Sequence, residues 1–145
     1  MGTVRTTDDW GALVARVALA SVMLPHGAEK AFGWFGGQGL QATISGMTEQ
    51  GLPVVVPVFV VLAELLGSAA LLVGLFGRLA AASIGAVMLG AVALVHFEHG
   101  LFMNWSGKQA GEGFEYHLLA IAIAVALMLK GGGRWSLDGL IARRR

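Results

Sequence analysis

No cysteine occurs among the 145 residues. Disulfides, iron–sulfur clusters held by this chain and thiol redox chemistry are excluded with it, so any redox role needs a bound cofactor or a partner. Charge is nearly as scarce. Asp, Glu, Lys and Arg make up 13% of the sequence against 56% for hydrophobic residues, and the mean hydropathy is +0.72. A soluble domain carries about a quarter charged residues, because its surface must be solvated. A chain this poor in charge cannot cover itself in water. Its length allows one domain, residues 1–145, and no separate catalytic module. Nothing in it suggests nucleic-acid binding, and no serine, histidine and carboxylate arrangement argues for a hydrolase.

What the chain has instead is apolar length. Residues 54–76 hold a single charge, Glu64, and residues 79–97 a single ionisable group, His96. Each run matches the roughly 20 residues that cross about 30 Å of hydrocarbon at about 1.5 Å per residue. The outer two runs are more polar: the first holds Arg16, His26, Glu29 and Lys30, and the last is short unless Phe114 to His117 and the Gly131–Gly133 run are added. Residues 14–25 could pass for a signal peptide. Asp8 and Asp9 precede them, however, and His26, Glu29 and Lys30 follow in place of a small-residue cleavage site, so the segment reads as a span. These patterns predict an all-α integral membrane four-helix bundle, with spans at 10–33, 54–76, 79–99 and 114–132.

Orientation follows from the basic residues. One set of ends collects Arg5, Arg16, Arg78, Lys130, Arg134, Arg143, Arg144 and Arg145, the other only Lys30 and Lys108. Positive charge stays inside, so both termini are expected in the cytoplasm of a bacterium, with the chain multi-pass in its cytoplasmic (inner) membrane. Phe76-Gly77-Arg78 is then a tight inner hairpin, while 34–53 and 98–113 are outer loops. Residues 134–145 place Trp135, Leu137, Leu140 and Ile141 beside three terminal arginines, as in a segment lying on the inner membrane surface. Small residues four apart (Ala63 and Gly67; Ala82, Ala86 and Gly90; Ala120 and Ala124) predict close helix packing in lipid. The Gly36-Gly37-Gln38-Gly39 and Gly131–Gly133 runs read as turns, since neither joins a strand to a helix as a nucleotide cradle does.

The ionisable residues inside these spans carry the functional signal. Glu64 falls roughly 16 Å below the outer end of its span, where a bare carboxylate costs several kcal/mol. His26, roughly 10 Å deep, is its expected partner, with Glu29 and Lys30 one turn further out on the same face. His96 and His99 end the third span at that level, and Glu115, Tyr116 and His117 open the fourth. All four histidines therefore gather in the outer half. A bland reading stands beside the functional one, in which Glu–Lys or His–Glu pairs clamp the helices. The functional reading offers three chemistries. A quinone headgroup can be held by histidine, tyrosine and carboxylate hydrogen bonds, with His26 and Glu64 as the catalytic pair and protons relayed through Glu64. His26, His96, His99 and Glu115 are the metal candidates, since imidazole suits copper, zinc or iron. The Glu-x-x-His pairs of a di-iron bundle are missing, and a haem between His26 and His96 comes last.

The residues also carry a resemblance. Arg16, His26-Gly27-Ala28-Glu29-Lys30-Ala31-Phe32-Gly33, Gly51-Leu52-Pro53, Glu64-Leu65-Leu66-Gly67 and Gly74-Leu75-Phe76-Gly77-Arg78 occur in that order. His96, Glu115-Tyr116 and Gly131-Gly132-Gly133-Arg134-Trp135-Ser136-Leu137-Asp138 follow. Together they resemble the DoxX family of small four-helix bacterial membrane proteins. The sequence departs from that pattern at Gly132, where the family often has proline, and at Glu98, His99 and His117. The resemblance implies a quinone-linked or redox-associated subunit of a membrane oxidoreductase. It marks His26, Lys30, Glu64, Arg78, His96 and Glu115, with Arg78 a topology anchor, and Tyr116 joins the cofactor-binding set. The alternative is a non-enzymatic scaffold or accessory subunit, or a carrier of lipid or metal cargo. The expected partners are membrane lipid and other subunits, or further copies of the chain. A small transporter or proton channel comes third, because no repeat of the segments is visible.

Overall fold

The computed structural model describes residues 6–143. Arg5, Arg144 and Arg145, counted above among the orienting charges, lie outside the described residues. All regular structure among the described residues is helical: α1 (Trp10–Phe32), α2 (Gly39–Glu49), α3 (Val55–Val73), α4 (Gly77–His99), α5 (Glu115–Lys130) and α6 (Leu137–Arg143). Three of these, α1, α3 and α4, are long and apolar enough to cross a membrane. The fourth expected span is a helix of only 16 residues, because Gly131 and Gly133 take positive φ and end it. The loop expected at 34–53 contains α2, which buries none of its residues.

Helices α1, α3, α4 and α5 share one core, built from Leu19, Met23, Leu71, Ile84, Met88 and Leu127 with small residues between them. Their outward faces carry exposed apolar side chains, among them Val14, Val58, Leu62, Leu66, Leu79, Leu89, Leu118 and Leu129. Apolar residues both inside and out are what lipid, not water, accommodates. All four tryptophans, Trp10, Trp34, Trp105 and Trp135, are exposed at or beyond helix ends. The stripe expected on α4 is displaced. Ala86 is exposed and Gly90 faces open space, whereas Ala81, Ile84, Gly85 and Met88 form the buried face. Ala124 does meet α4, where a Cβ on Gly85 would stand 3.4 Å from it.

The two ends of the molecule differ in chemistry. At the arginine end, a helix-terminal carbonyl has no partner within its own helix and must find one. Buried Arg16 supplies it: its guanidinium donates to the carbonyls of Leu71, at 2.7 Å, and Leu72 on α3. The same group reaches the carbonyls of Arg134, at 3.3 Å, and Trp135, at 3.0 Å, in the segment before α6. Asp138, 1% exposed, accepts from the Phe76 and Gly77 amides, both at 2.8 Å, and so caps α4 from another part of the chain. The turn itself is Gly74 to Phe76, with α4 starting at Gly77, two residues earlier than the Phe76-Gly77-Arg78 hairpin expected from sequence. Gly74 takes φ +69° against Ser136, whose Cβ would lie 2.4 Å from any added side chain, so only glycine fits.

Outside the spans, Asp9 caps α1 by accepting from the Gly11 amide at 2.7 Å and pairs with Lys130 at the end of α5. The hydrogen bond from the Lys130 ammonium, then that from the Gly11 amide, holds the Asp9 carboxyl below its ordinary range.

Arg16→Met is expected to lower the melting temperature in detergent by several degrees, since each stranded carbonyl costs about 1–3 kcal/mol. Asp138→Ala removes a cap worth about 0.5–2 kcal/mol and should lower it less. Because folding depresses the Asp9 pKa, its contribution is present above the unfolded value of about 3.9 and fades as pH falls through the folded one. A thermal-melt series should therefore show Asp9→Asn below wild type at pH 7 and the two converging in strong acid.

Candidate functional site

The histidine end is built around two irregular turns. Residues Ala63–Gly67 of α3 and Val92–His96 of α4 each form a π-helical turn, which inserts an extra residue and re-aims the side chains near it. Glu64 sits in the first and His96 in the second. The first turn is pressed against α1 at Gly27, where an added Cβ would lie 2.5 Å from the Leu65 nitrogen and 2.7 Å from the Glu64 carbonyl carbon. This backbone approach brings Glu64 to the base of the His26–Lys30 stripe.

Glu64 is 4% exposed, and its partner is Lys30, not the expected His26. The Lys30 ammonium stands 2.7 Å from Glu64 Oε2, an approach that matches the charge but lies off the carboxylate's hydrogen-bonding directions. His26 instead faces outward, half exposed, with Nδ1 3.5 Å from Glu29. The physical reason is reach. Lys30 sits one turn above Gly27, and its four-carbon stem lets the ammonium extend down to the carboxylate, while His26, next to Gly27 in sequence, turns away from α3.

Across the bundle, the His96 and His117 rings lie 4.1 Å apart, and Tyr116 meets His117 edge-on at 5.4 Å. His96 Nδ1 is 2.8 Å from the Glu112 carbonyl. His26 and His96 both lie within electrostatic reach of His117, and Glu64 within that of Tyr116. One polar cluster thus joins His26 and Lys30 from α1, Glu64 from α3, His96 from α4, and Tyr116 and His117 from α5. The Tyr116 hydroxyl and His117 Nδ1 are buried without a hydrogen-bond partner among the described residues.

Glu115 and His99 stand apart from this cluster. Glu115 accepts from the Met103 amide at 3.0 Å and the Trp105 indole at 3.3 Å, and so organises the 100–113 loop. His99 packs its ring on Gly111 and lies 3.7 Å from Glu98. The four metal candidates are therefore not gathered, and no group of three or more His, Asp or Glu among the described residues could hold a metal ion. His117 was left out of the sequence-based site, although its place one residue beyond Tyr116 was the signal available. At the other end Arg78 donates to the Met128 carbonyl at 2.6 Å, far from the cluster.

Beside Lys30 lies a cavity of about 360 Å³ between the end of α1 and α2. Glu29, Lys30, Gln38, Thr43 and Gln50 give it polar walls, and Met47 an apolar one. Residues 31–48, which supply most of its lining between Gly36 and Met47, contain no charged side chain.

A family model described as DoxX matches residues 11–97, well over half the chain, and the protein belongs to the DoxX family of membrane proteins. The match covers Arg16, the His26–Lys30 stripe, Gly27, Glu64 and His96, and ends before Tyr116, His117 and the 131–138 segment. No curated protein and no solved structure matches the chain.

Removing one partner of a buried ion pair costs about 3–5 kcal/mol, because the other charge is stranded. Lys30→Met is therefore expected to destabilise the protein by about that amount, and the double variant Lys30→Met/Glu64→Gln to recover most of it. Thermal unfolding of both in one detergent checks this, and a double variant no more stable than the single one refutes it.

Proposed function

We propose that the protein is a quinone-linked, redox-associated membrane subunit whose headgroup site is formed by His26, Lys30, Glu64 and Tyr116 at its histidine end. The observation that carries this reading is the pair of buried Glu64, at a π-helical turn, with partly buried Lys30, which also lines a cavity otherwise walled largely by an uncharged segment. Ionisable groups at membrane depth are expensive and mark functional sites by default. A quinone supplies reversible two-electron, two-proton chemistry from a planar, mostly apolar headgroup with two carbonyl oxygens. The residues suit it. Lys30 is a donor for a carbonyl oxygen, the Tyr116 hydroxyl is a buried donor without a partner, and Glu64 can hold or release a proton. His26, on the outer face of α1, is placed to meet a headgroup arriving from lipid.

The proposal includes the topology. The α5 helix of 16 residues, about 24 Å long, serves as the fourth span, with the glycine turn after it completing the crossing. Arg78, Lys130, Arg134 and Arg143 at one end support a topology in a bacterial inner membrane with both termini in the cytoplasm and the histidine end outside. The absence of cysteine makes this directly testable. A single cysteine replacing Lys108 is expected to react with an impermeant maleimide added to intact cells, and one replacing Arg143 only after permeabilisation.

A second reading rests on the same pair. Glu64 already has a counter-ion in Lys30, so the pair can serve solely to clamp α1 to α3 in an accessory or scaffold subunit. Titration of protein in lipid nanodiscs with a short-chain benzoquinone or naphthoquinone separates the two. The quinone reading expects saturable binding, weakened roughly tenfold to a hundredfold by Lys30→Gln through loss of a charge-assisted bond worth about 1.5–3 kcal/mol. Glu64→Gln should weaken it as well. Wild-type protein that binds neither quinone and co-extracts none would leave the clamp.

A further inference from the structure

His117 is the one buried ionisable group at the histidine end that neither the headgroup site nor the ion pair uses. It is 7% exposed, and its Nδ1 has no hydrogen-bond partner among the described residues. Leaving such a nitrogen dry costs about 1–3 kcal/mol. A buried polar seam of this kind normally takes up ordered water, provided each water finds two or more polar partners. Those partners stand in sequence here. His96 is partly exposed and lies 4.1 Å ring to ring from His117, Tyr116 lies 5.4 Å beyond, and the Tyr116 hydroxyl is within electrostatic reach of Glu64. The His96 Nδ1 contact with the Glu112 carbonyl makes Nδ1 the protonated nitrogen of the neutral ring and leaves the Nε2 lone pair to accept a proton.

Imidazole and phenol each donate and accept, so one group can take a proton on one side and release another from the opposite side. Besides the cavity beside Lys30, the side chains of α4 and α5 offer a route from solvent to Glu64. We infer that His96, His117 and Tyr116, bridged by water, form a proton path between the outer surface and Glu64, a proposal that deepens the quinone reading and rests on it. A proton from outside binds His96 Nε2 and is passed on from that same nitrogen, through water, to His117 and then through Tyr116, while His96 Nδ1–H stays on the Glu112 carbonyl. The Glu64 carboxylate ends as the neutral acid, each relay group regains its starting charge, and rotation of the His117 ring and the Tyr116 hydroxyl resets the path. One proton is transferred and no electron moves. The titratable groups near His117 are His96 from α4 and His26 from α1, with Tyr116 beside it on α5 and Glu64 beyond on α3.

The experiment uses the full chain in lipid vesicles with no quinone present. A rapid drop in outside pH is followed by time-resolved infrared absorption of the Glu64 carboxyl, assigned by its loss in Glu64→Gln. His117→Phe is expected to slow its protonation at least tenfold without changing the final amplitude. His117→Asn keeps a hydrogen-bonding group near the Nδ1 position but cannot relay, so it should be equally slow while melting like wild type. Wild-type rates in both variants overturn the path, and so does recovery of the rate by His117→Asn alone, the mark of a structural role. A Glu64 band that never appears in wild type also overturns it. Quinone titration of the His117 variants is expected to give wild-type affinity. Loss of quinone binding in wild type would instead sink the headgroup reading and leave the infrared rates standing.

Discussion

One contact sets the terms for the upper half of this molecule: the Lys30 ammonium against the Glu64 carboxylate, among helices whose outer faces are apolar. Neither charge is stable there alone, and their attraction offsets desolvation only at close range. Close range requires that α1 and α3 nearly touch, which is why Gly27 stands where any Cβ would enter the α3 backbone. It also requires that the carboxylate point toward α1, and the π-helical turn at Ala63–Gly67 provides that rotation. Ion pair, glycine and irregular turn are therefore one device. Substituting any of them alone leaves the other two unsupported.

The opposite end solves a different problem by different means. Helix termini in or near lipid expose carbonyls and amides that no water can satisfy. Arg16 and Asp138 satisfy them in reciprocal fashion, the guanidinium taking the carbonyls that end α3 and the carboxylate taking the amides that begin α4. Both reach outside their own hairpin, so the 131–138 segment is tied to three helices. The small-residue and glycine positions of that segment are there for contact between backbones, as the approach of Ser136 to Gly74 illustrates.

Much of this was legible in the sequence because lipid leaves few options. Apolar length located α1, α3 and α4, and scarcity of charge made every buried ionisable residue conspicuous. The Glu64 depth argument needed nothing more than residue count. What periodicity could not supply was azimuth. A four-residue spacing of small side chains does not say which side of α4 packs, and Ala86 and Gly90 fall off the buried face, while the π-helical turn of α3 re-aims Glu64, which the sequence paired with His26, toward Lys30. Spacing also could not separate His96 from His99, which leave the same helix end in different directions, one onto His117 and the other onto Gly111. The helix α2 was hidden because an uncharged stretch rich in glycine reads as turn.

The contrast between the two ends bears on function. At the arginine end nearly every buried polar atom is satisfied, the Arg16 Nε being the exception among the described residues. The remaining buried polar atoms without hydrogen bonds are Tyr116 Oη, His117 Nδ1 and, one turn below Glu64, Ser68 Oγ, while Glu64 Oε2 is held by charge against Lys30 alone. Unsatisfied groups in a low dielectric are costly, and a fold that needed only to hold itself together would be better served by apolar side chains there. Both irregular turns fall on that same side of the molecule. Backbone irregularity, unsatisfied polar atoms and the cavity beside Lys30 coincide, while the opposite end carries the bonds that keep the helices in place. Such a division, with rigidity at one end and unspent polar capacity at the other, is the arrangement that the proposed headgroup site and proton path call for.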